Sequence, residues 1–135
     1  MNDQQKLVAE QCAAKSLAGE IHFGEVVCRL MEAGIERYHA DYSRMENTYY
    51  LASGASHVVP IGHASMAGAE DFSASAVAAS VRQAQRGEIK YPQFVDQTCA
   101  AGCIGYFVQI AGKCVQYFGR KGEIHTEWFP GAGPK

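Results

Sequence analysis

No stretch of this sequence approaches the roughly 18 uninterrupted apolar residues of a membrane-spanning helix. Residues Met1 to Glu10 are polar and have neither the basic nor the apolar segment of a secretory signal, so the cytoplasm is the expected location. Charge of one sign is also scarce. Twelve Lys and Arg against 14 Asp and Glu leave a net charge of -2, too little basic excess to draw nucleic acid or an anionic membrane to the whole molecule. Two local clusters remain, Arg82 with Arg86 and Lys90, and Arg120-Lys121. No phosphate-cradling GxGxxG or GxxxxGK[ST] occurs, and Gly19 and Gly87 each precede a short turn. Ser53-Gly54-Ala55-Ser56 has a turn composition without the flanks of a nucleophile elbow.

The cysteines are odd in number and lack the paired spacing of a zinc knuckle. The five residues Cys12, Cys28, Cys99, Cys103 and Cys114 form no CxxC, and Cys99-x3-Cys103 straddles a helix end at Gly102 that aims the two thiols differently. They read as reduced, metal-free small hydrophobes, with Cys12, Cys28 and Cys99 on the apolar stripes of helices. No cofactor is indicated.

What the chain does have is itself, twice. Gly19-Glu20-Ile21 recurs as Gly87-Glu88-Ile89, and Phe23 as Tyr91. Ala33-Gly34 returns as Ala101-Gly102, Tyr38 as Tyr106, Tyr49-Tyr50 as Tyr117-Phe118, Gly54 as Gly122 and His57 as His125, all at one gapless offset of 68 residues. Halves this small are marginal alone, so the duplication predicts one shared core in a single domain of 135 residues.

Each half reads as helix, turn, helix and β-meander. In the first, Asp3 is placed to cap a helix ending near Ala18. Phe23, Val26, Val27, Leu30 and Met31 then mark the apolar stripe of a second helix, closed by Gly34. Strands are expected over 35–43, over 48–52 and around Val58 to Ile61. In the second half, a helix enters from Asp71 or Ser73 and ends at Gly87, and Pro92 opens the next. Ile104, Tyr106, Val108 and Ile110 alternate as a strand, followed by Cys114 to Phe118 and Glu123 to Phe129. The expected class is therefore α+β, with repeat 1 over 3–61, a linker at 62–69, repeat 2 over 70–130, a flexible tail at 131–135 and pseudo-twofold symmetry.

The run Ala33-Gly34-Ile35-Glu36-Arg37-Tyr38 with Asp41 and Tyr49-Tyr50 carries a resemblance to a known family. It is joined by Gln85-x-Gly87-x-Ile89-x-Tyr91-x2-Phe94, by Ala101-Gly102 with Tyr106, and by Tyr117-Phe118-Gly119-Arg120-Lys121-Gly122-Glu123. Together they resemble the YdfO-like family, small bacterial proteins that are often prophage-borne, labelled phage-envelope-protein-like and classed as a domain of unknown function. The resemblance spans roughly residues 5 to 130 and implies an α+β fold in a bacterial cytosol. It implies no activity, ligand or catalytic residue.

The residues themselves offer two kinds of candidate. His39 and Asp41 lie two apart on a strand, as do His125 and Glu127, and His57 and His125 are repeat-related. Convergence of His39, Asp41, His57, His125 and Glu127 between the meanders would make an acid–base or metal site, whereas the plainer reading leaves them on half-exposed strands. His22 and His63 fall in a turn and the linker, where exposure is expected. The second kind is aromatic. Tyr38, Tyr49, Tyr106, Tyr117 and Trp128 either pack the sheet core or line a groove for a peptide or small apolar ligand.

The helix-turn-helix and hairpin order is that of a winged helix, but residues 23–34 carry one Arg and two Glu, which disfavours base readout. A binding or accessory protein is the first reading, with an unidentified protein or small-molecule partner, no membrane and no nucleic acid. A small enzyme or ligand-binding protein with its site between the repeats is the second. Residues 123–129 end a meander, so this edge is expected either to be covered by the other repeat or to support a weak homodimer.

Overall fold

The computed structural model describes residues 1–64 and 67–133. Within these, α1 (Asp3–Leu17), α2 (Phe23–Glu32), β1 (Arg37–Asp41), β2 (Glu46–Tyr50) and β3 (Ser56–Pro60) form the first repeat. The second consists of α3 (Ala74–Gln85), α4 (Tyr91–Ala100), β4 (Cys103–Gln109), β5 (Cys114–Gly119) and β6 (Ile124–Trp128). All strand pairs are antiparallel, and the order β3-β2-β1-β4-β5-β6 joins both meanders into one six-stranded sheet through β1 and β4.

The duplication extends to backbone angles. Gly19, Gly34 and Gly54 adopt φ of 72°, 84° and 92°, and their partners Gly87, Gly102 and Gly122 adopt 72°, 93° and 86°. The non-glycine residues with positive φ, Met45 at 48° and Lys113 at 59°, also stand at equivalent turn positions between first and second strands. Left-handed turns are costly for side-chain-bearing residues, so their recurrence in register reports one architecture built twice. Across the junction Tyr38 pairs with Val108 and Ala40 with Tyr106, two couples that exchange under the repeat operation, and His39 pairs with its own equivalent Phe107. The pseudo-twofold axis therefore passes between His39 and Phe107.

Alternation decides which face is core. Tyr38, Ala40, Asn47, Tyr49, Tyr106, Val108, Val115 and Tyr117 are buried beneath the helices, while their neighbours His39, Thr48, Phe107 and Gln116 are only half-buried on the opposite face. α1 packs on β3, α3 on β6 and α4 on β4. Leu30, Ile35, Val77 and Val95 complete a core shared by both repeats.

Several expectations are corrected. The first helix is capped by Asn2, whose side chain accepts from the Gln5 N–H while Gln5 Oε1 accepts from the Asn2 N–H; Asp3 is already helical. On α2 only Val26 and Leu30 are fully buried, with Phe23 and Met31 45% and 58% exposed, and Cys28 lies on the exposed side. This helix packs chiefly on α1 instead of on the sheet, so its stripe is only partly covered. In the expected linker 62–69, residues 65 and 66 lie outside the described residues, as do 134 and 135 of the expected tail.

Candidate functional site

The incomplete cover by α2 leaves a cavity of about 430 Å³ between the helices and the sheet. This falls in the roughly 300–1,000 Å³ range of small-molecule sites. Its lining follows the duplication: Phe23 and Tyr91 face it from the starts of α2 and α4, Val26 and Phe94 from one turn further, and Tyr38 and Tyr106 form its floor beside the axis. Gly19 and Gly87 belong to the two helix turns that close one end. A Cβ on Gly19 would stand 3.2 Å from the Lys90 side chain, so the turns of opposite repeats touch.

The symmetry is broken in how the space is filled. Val81, Val115, Tyr117 and Phe129 line the cavity from repeat 2. Their repeat-1 equivalents Ala13, Asn47, Tyr49 and Ile61 line only a small void of about 20 Å³, room for a single water. Tyr91 of α4 closes that side by reaching the core, where its hydroxyl stands 3.0 Å from that of Tyr106. Its counterpart Phe23 stays 45% exposed and meets Phe129 edge-on at 6.1 Å. One half of a twofold site is thus packed and the other open.

The cavity's chemistry is aromatic and neutral at its floor. Burial raises the phenols of Tyr38, Tyr106 and Tyr117 well above their ordinary value, and Tyr91 is pushed up to about 12, so all four keep their protons at physiological pH. Tyr49 is satisfied on the closed side, where Asn47 Nδ2 donates to its hydroxyl at 3.0 Å. Tyr38 and Tyr117 are 4% and 5% exposed, and among the described residues no hydrogen bond joins either hydroxyl to the protein. No buried side-chain polar atom there is sealed off without a partner, so both hydroxyls reach open space: Tyr117 lines the cavity, and Tyr38 lines both the cavity and the small void beside it. A nearly buried hydroxyl that faces open space is prepared to bond a guest.

One charged group joins them. Glu127, on the helix-facing side of β6, accepts from Arg82 Nη1 at 2.8 Å and lies 2.6 Å from His125 Nε2. Its side chain is only 12% exposed.

The other titratable candidates are dispersed. His39 stacks on Phe107 on the face away from the helices, and Asp41 Oδ1 caps the following turn by accepting from the Ser43 and Arg44 N–H groups. His57 bonds Glu10 of α1 at 3.1 Å from β3. β3 and β6 are opposite edges of the sheet, five strand spacings or about 24 Å apart, so His57 and His125 are not brought together. His63 bonds Asp96 at 2.8 Å, and His22 is an exposed cavity-rim residue that caps α2 without a side-chain bond. Among the described residues no three His, Cys, Asp or Glu side chains gather as a metal would require. Of the tyrosines expected to bind, Tyr38, Tyr106 and Tyr117 line the cavity with Trp128 at its rim, while Tyr49 does not. Phe94 was legible only as part of a helix stripe, and Glu127 only as one of the His, Asp and Glu candidates of an acid–base or metal site; their shared lining needed the register of the two repeats.

Residues 64–127 match the model of a family described as protein of unknown function (DUF1398), a stretch that includes nearly all of the second repeat. No curated protein matches the chain. The chain is therefore similar to this uncharacterised family, and the likeness brings no activity or ligand with it. No helix among the described residues is long and apolar enough to cross a membrane.

Proposed function

We propose that this chain is a binding protein for a small, mainly apolar ligand held in the cavity between the two repeats, with Tyr38, Tyr106, Tyr117 and Trp128 as contact residues. The observation that carries this reading is the pair of nearly buried hydroxyls, on Tyr38 and Tyr117, in an aromatic cavity of about 430 Å³. A cavity kept only for packing favours apolar walls, whereas these hydroxyls open onto space in which a guest can bond them. The YdfO-like resemblance adds a bacterial, prophage-borne and cytoplasmic setting to the proposal; the match over residues 64–127 supports only the coarser likeness to a family of unknown function.

Isothermal titration with 1-naphthalenemethanol, an uncharged two-ring alcohol, tests the reading. Saturable binding of one molecule per chain is expected, lost on Ala84→Phe, which fills the space from the α3 wall. Absence of binding to wild type, or binding undiminished in a folded Ala84→Phe, contradicts it.

A further inference from the structure

An ion pair of the second repeat reaches the cavity wall, whose other polar side chains, among them Ser16, Glu20, His22, Gln85 and Lys90, come from both repeats. Position 127 is Glu where the first repeat has Val59, and position 82 is Arg where it has Ala14, so the Arg82–Glu127 pair has no counterpart across the axis. The two partners are unequally hydrated. Arg82 is 50% exposed and extends into water, whereas Glu127 is 12% exposed and forms part of the cavity wall. Water screens the guanidinium more than the carboxylate, so negative potential prevails inside.

The Glu127 carboxylate also retains bonding capacity. Arg82 and His125 each occupy one direction, on different oxygens, and a carboxylate accepts about four hydrogen bonds. Tyr117, Phe94 and Phe23 share the cavity lining with it, and aromatic rings attract cations to their electron-rich faces. The basic side chain on the lining, Lys90, is exposed at the rim. An anionic guest would lie against the buried carboxylate; a cationic one would meet both it and the rings.

We infer that the ligand is an aromatic amine bound in its protonated form, its rings over the tyrosine floor and its ammonium group toward Glu127. This rests on the binding reading above. The hydroxyls of Tyr38 and Tyr117 then bond the polar substituents of the ring system, and Arg82 holds the carboxylate in place as a positioning residue.

Three probes of one size separate charge from shape: 1-naphthylmethylamine, 1-naphthalenemethanol and naphthalene-1-acetate. Titrations are run at about pH 8, above the ordinary imidazole value and below that of an alkylamine. The amine is expected to bind about tenfold or more tighter than the alcohol, with the acetate weakest. In Glu127→Gln the ratio of amine to alcohol affinity falls to about one, and in Arg82→Gln, which unpairs the carboxylate, the ratio rises. Equal affinities, a preference for the acetate, or an amine advantage that survives Glu127→Gln overturns the inference while leaving the binding reading intact. If Glu127→Gln does not fold, an unchanged ratio in Arg82→Gln overturns it. Failure of all three probes to bind overturns both.

Discussion

His39 and Phe107 hold the same position in the two repeats, face each other across the β1–β4 junction, and stack with centroids 4.5 Å apart and planes 14° from parallel. The pseudo-twofold axis runs between them, on the face of the sheet opposite the cavity. Burial lowers the His39 pKa from its ordinary value of 6.5, the nearby Asp41 opposing that shift. The folded protein therefore resists a proton that the unfolded chain accepts, and the contribution from this site falls as pH drops below about 6.5. His39→Phe removes that dependence. Urea denaturation at about pH 7.5 and pH 5.5 is expected to show a smaller loss on acidification for the variant than for wild type. An equal loss would show that His39 does not contribute.

The equivalent caps Gly34 and Gly102 provide a second comparison. Both have positive φ, 84° and 93°, so alanine strains either by about 1 kcal/mol. Their surroundings differ: a Cβ on Gly34 would meet its nearest atom at 3.5 Å, whereas one on Gly102 would stand 2.3 Å from the Asp71 carbonyl oxygen. Gly34→Ala is expected to cost about 1 kcal/mol, and Gly102→Ala more than about 3 kcal/mol or the fold itself. Chemical denaturation giving equal costs would contradict the packing of residues 71 and 72 against the turn at Gly102.

Much of this was legible from residues alone, and the remainder was not for a definite reason. Turn glycines and strand alternation are local, so both meanders, the helix ends at Gly19 and Gly87, and the duplication could be read directly. What the sequence did not reveal is how far each second helix settles onto the sheet. Phe23 and Tyr91 occupy equivalent sites at the same helical spacing, yet one stays half outside and the other reaches the core. That difference depends on side chains far apart in the chain, among them Val26 against Phe94 and Ala13 against Val81, and it creates the cavity. The histidine constellation fails to gather for a related reason: alternation placed His57 and His125 on the helix-facing side and His39 on the other, but only the β1–β4 pairing fixed their separation.

The thiols give a third prediction. Cys28 is exposed, whereas Cys12, Cys99, Cys103 and Cys114 are buried, and burial pushes the Cys103 thiol up to about 11. The thiolate is the reactive form. Native protein treated with an aromatic disulfide reagent near neutral pH is expected to release one fast equivalent, lost in Cys28→Ser, and the other thiols only as the protein unfolds. Two or more fast equivalents would contradict the packing of α1, α4, β4 and β5.

The Tyr91–Tyr106 hydroxyl contact at 3.0 Å seals the packed half of the twofold site. Tyr91→Phe is expected to cost about 1 kcal/mol, the net worth of one hydrogen bond. Tyr91→Ala should cost roughly 3 kcal/mol or more through loss of the ring. If Tyr91→Ala proves harmless in thermal denaturation, the closed half is not closed by this residue.

The most direct measurement maps where a guest sits. Backbone and aromatic NMR signals followed during titration with 1-naphthalenemethanol distinguish the two faces of the sheet. The account predicts shifts concentrated at Tyr38, Val81, Phe94, Tyr106, Val115 and Tyr117, which line the cavity, with Phe107, Gln116 and Phe118 on the opposite face unmoved. Shifts centred on Phe107 and Phe118, or no saturable change at the cavity residues, would contradict it.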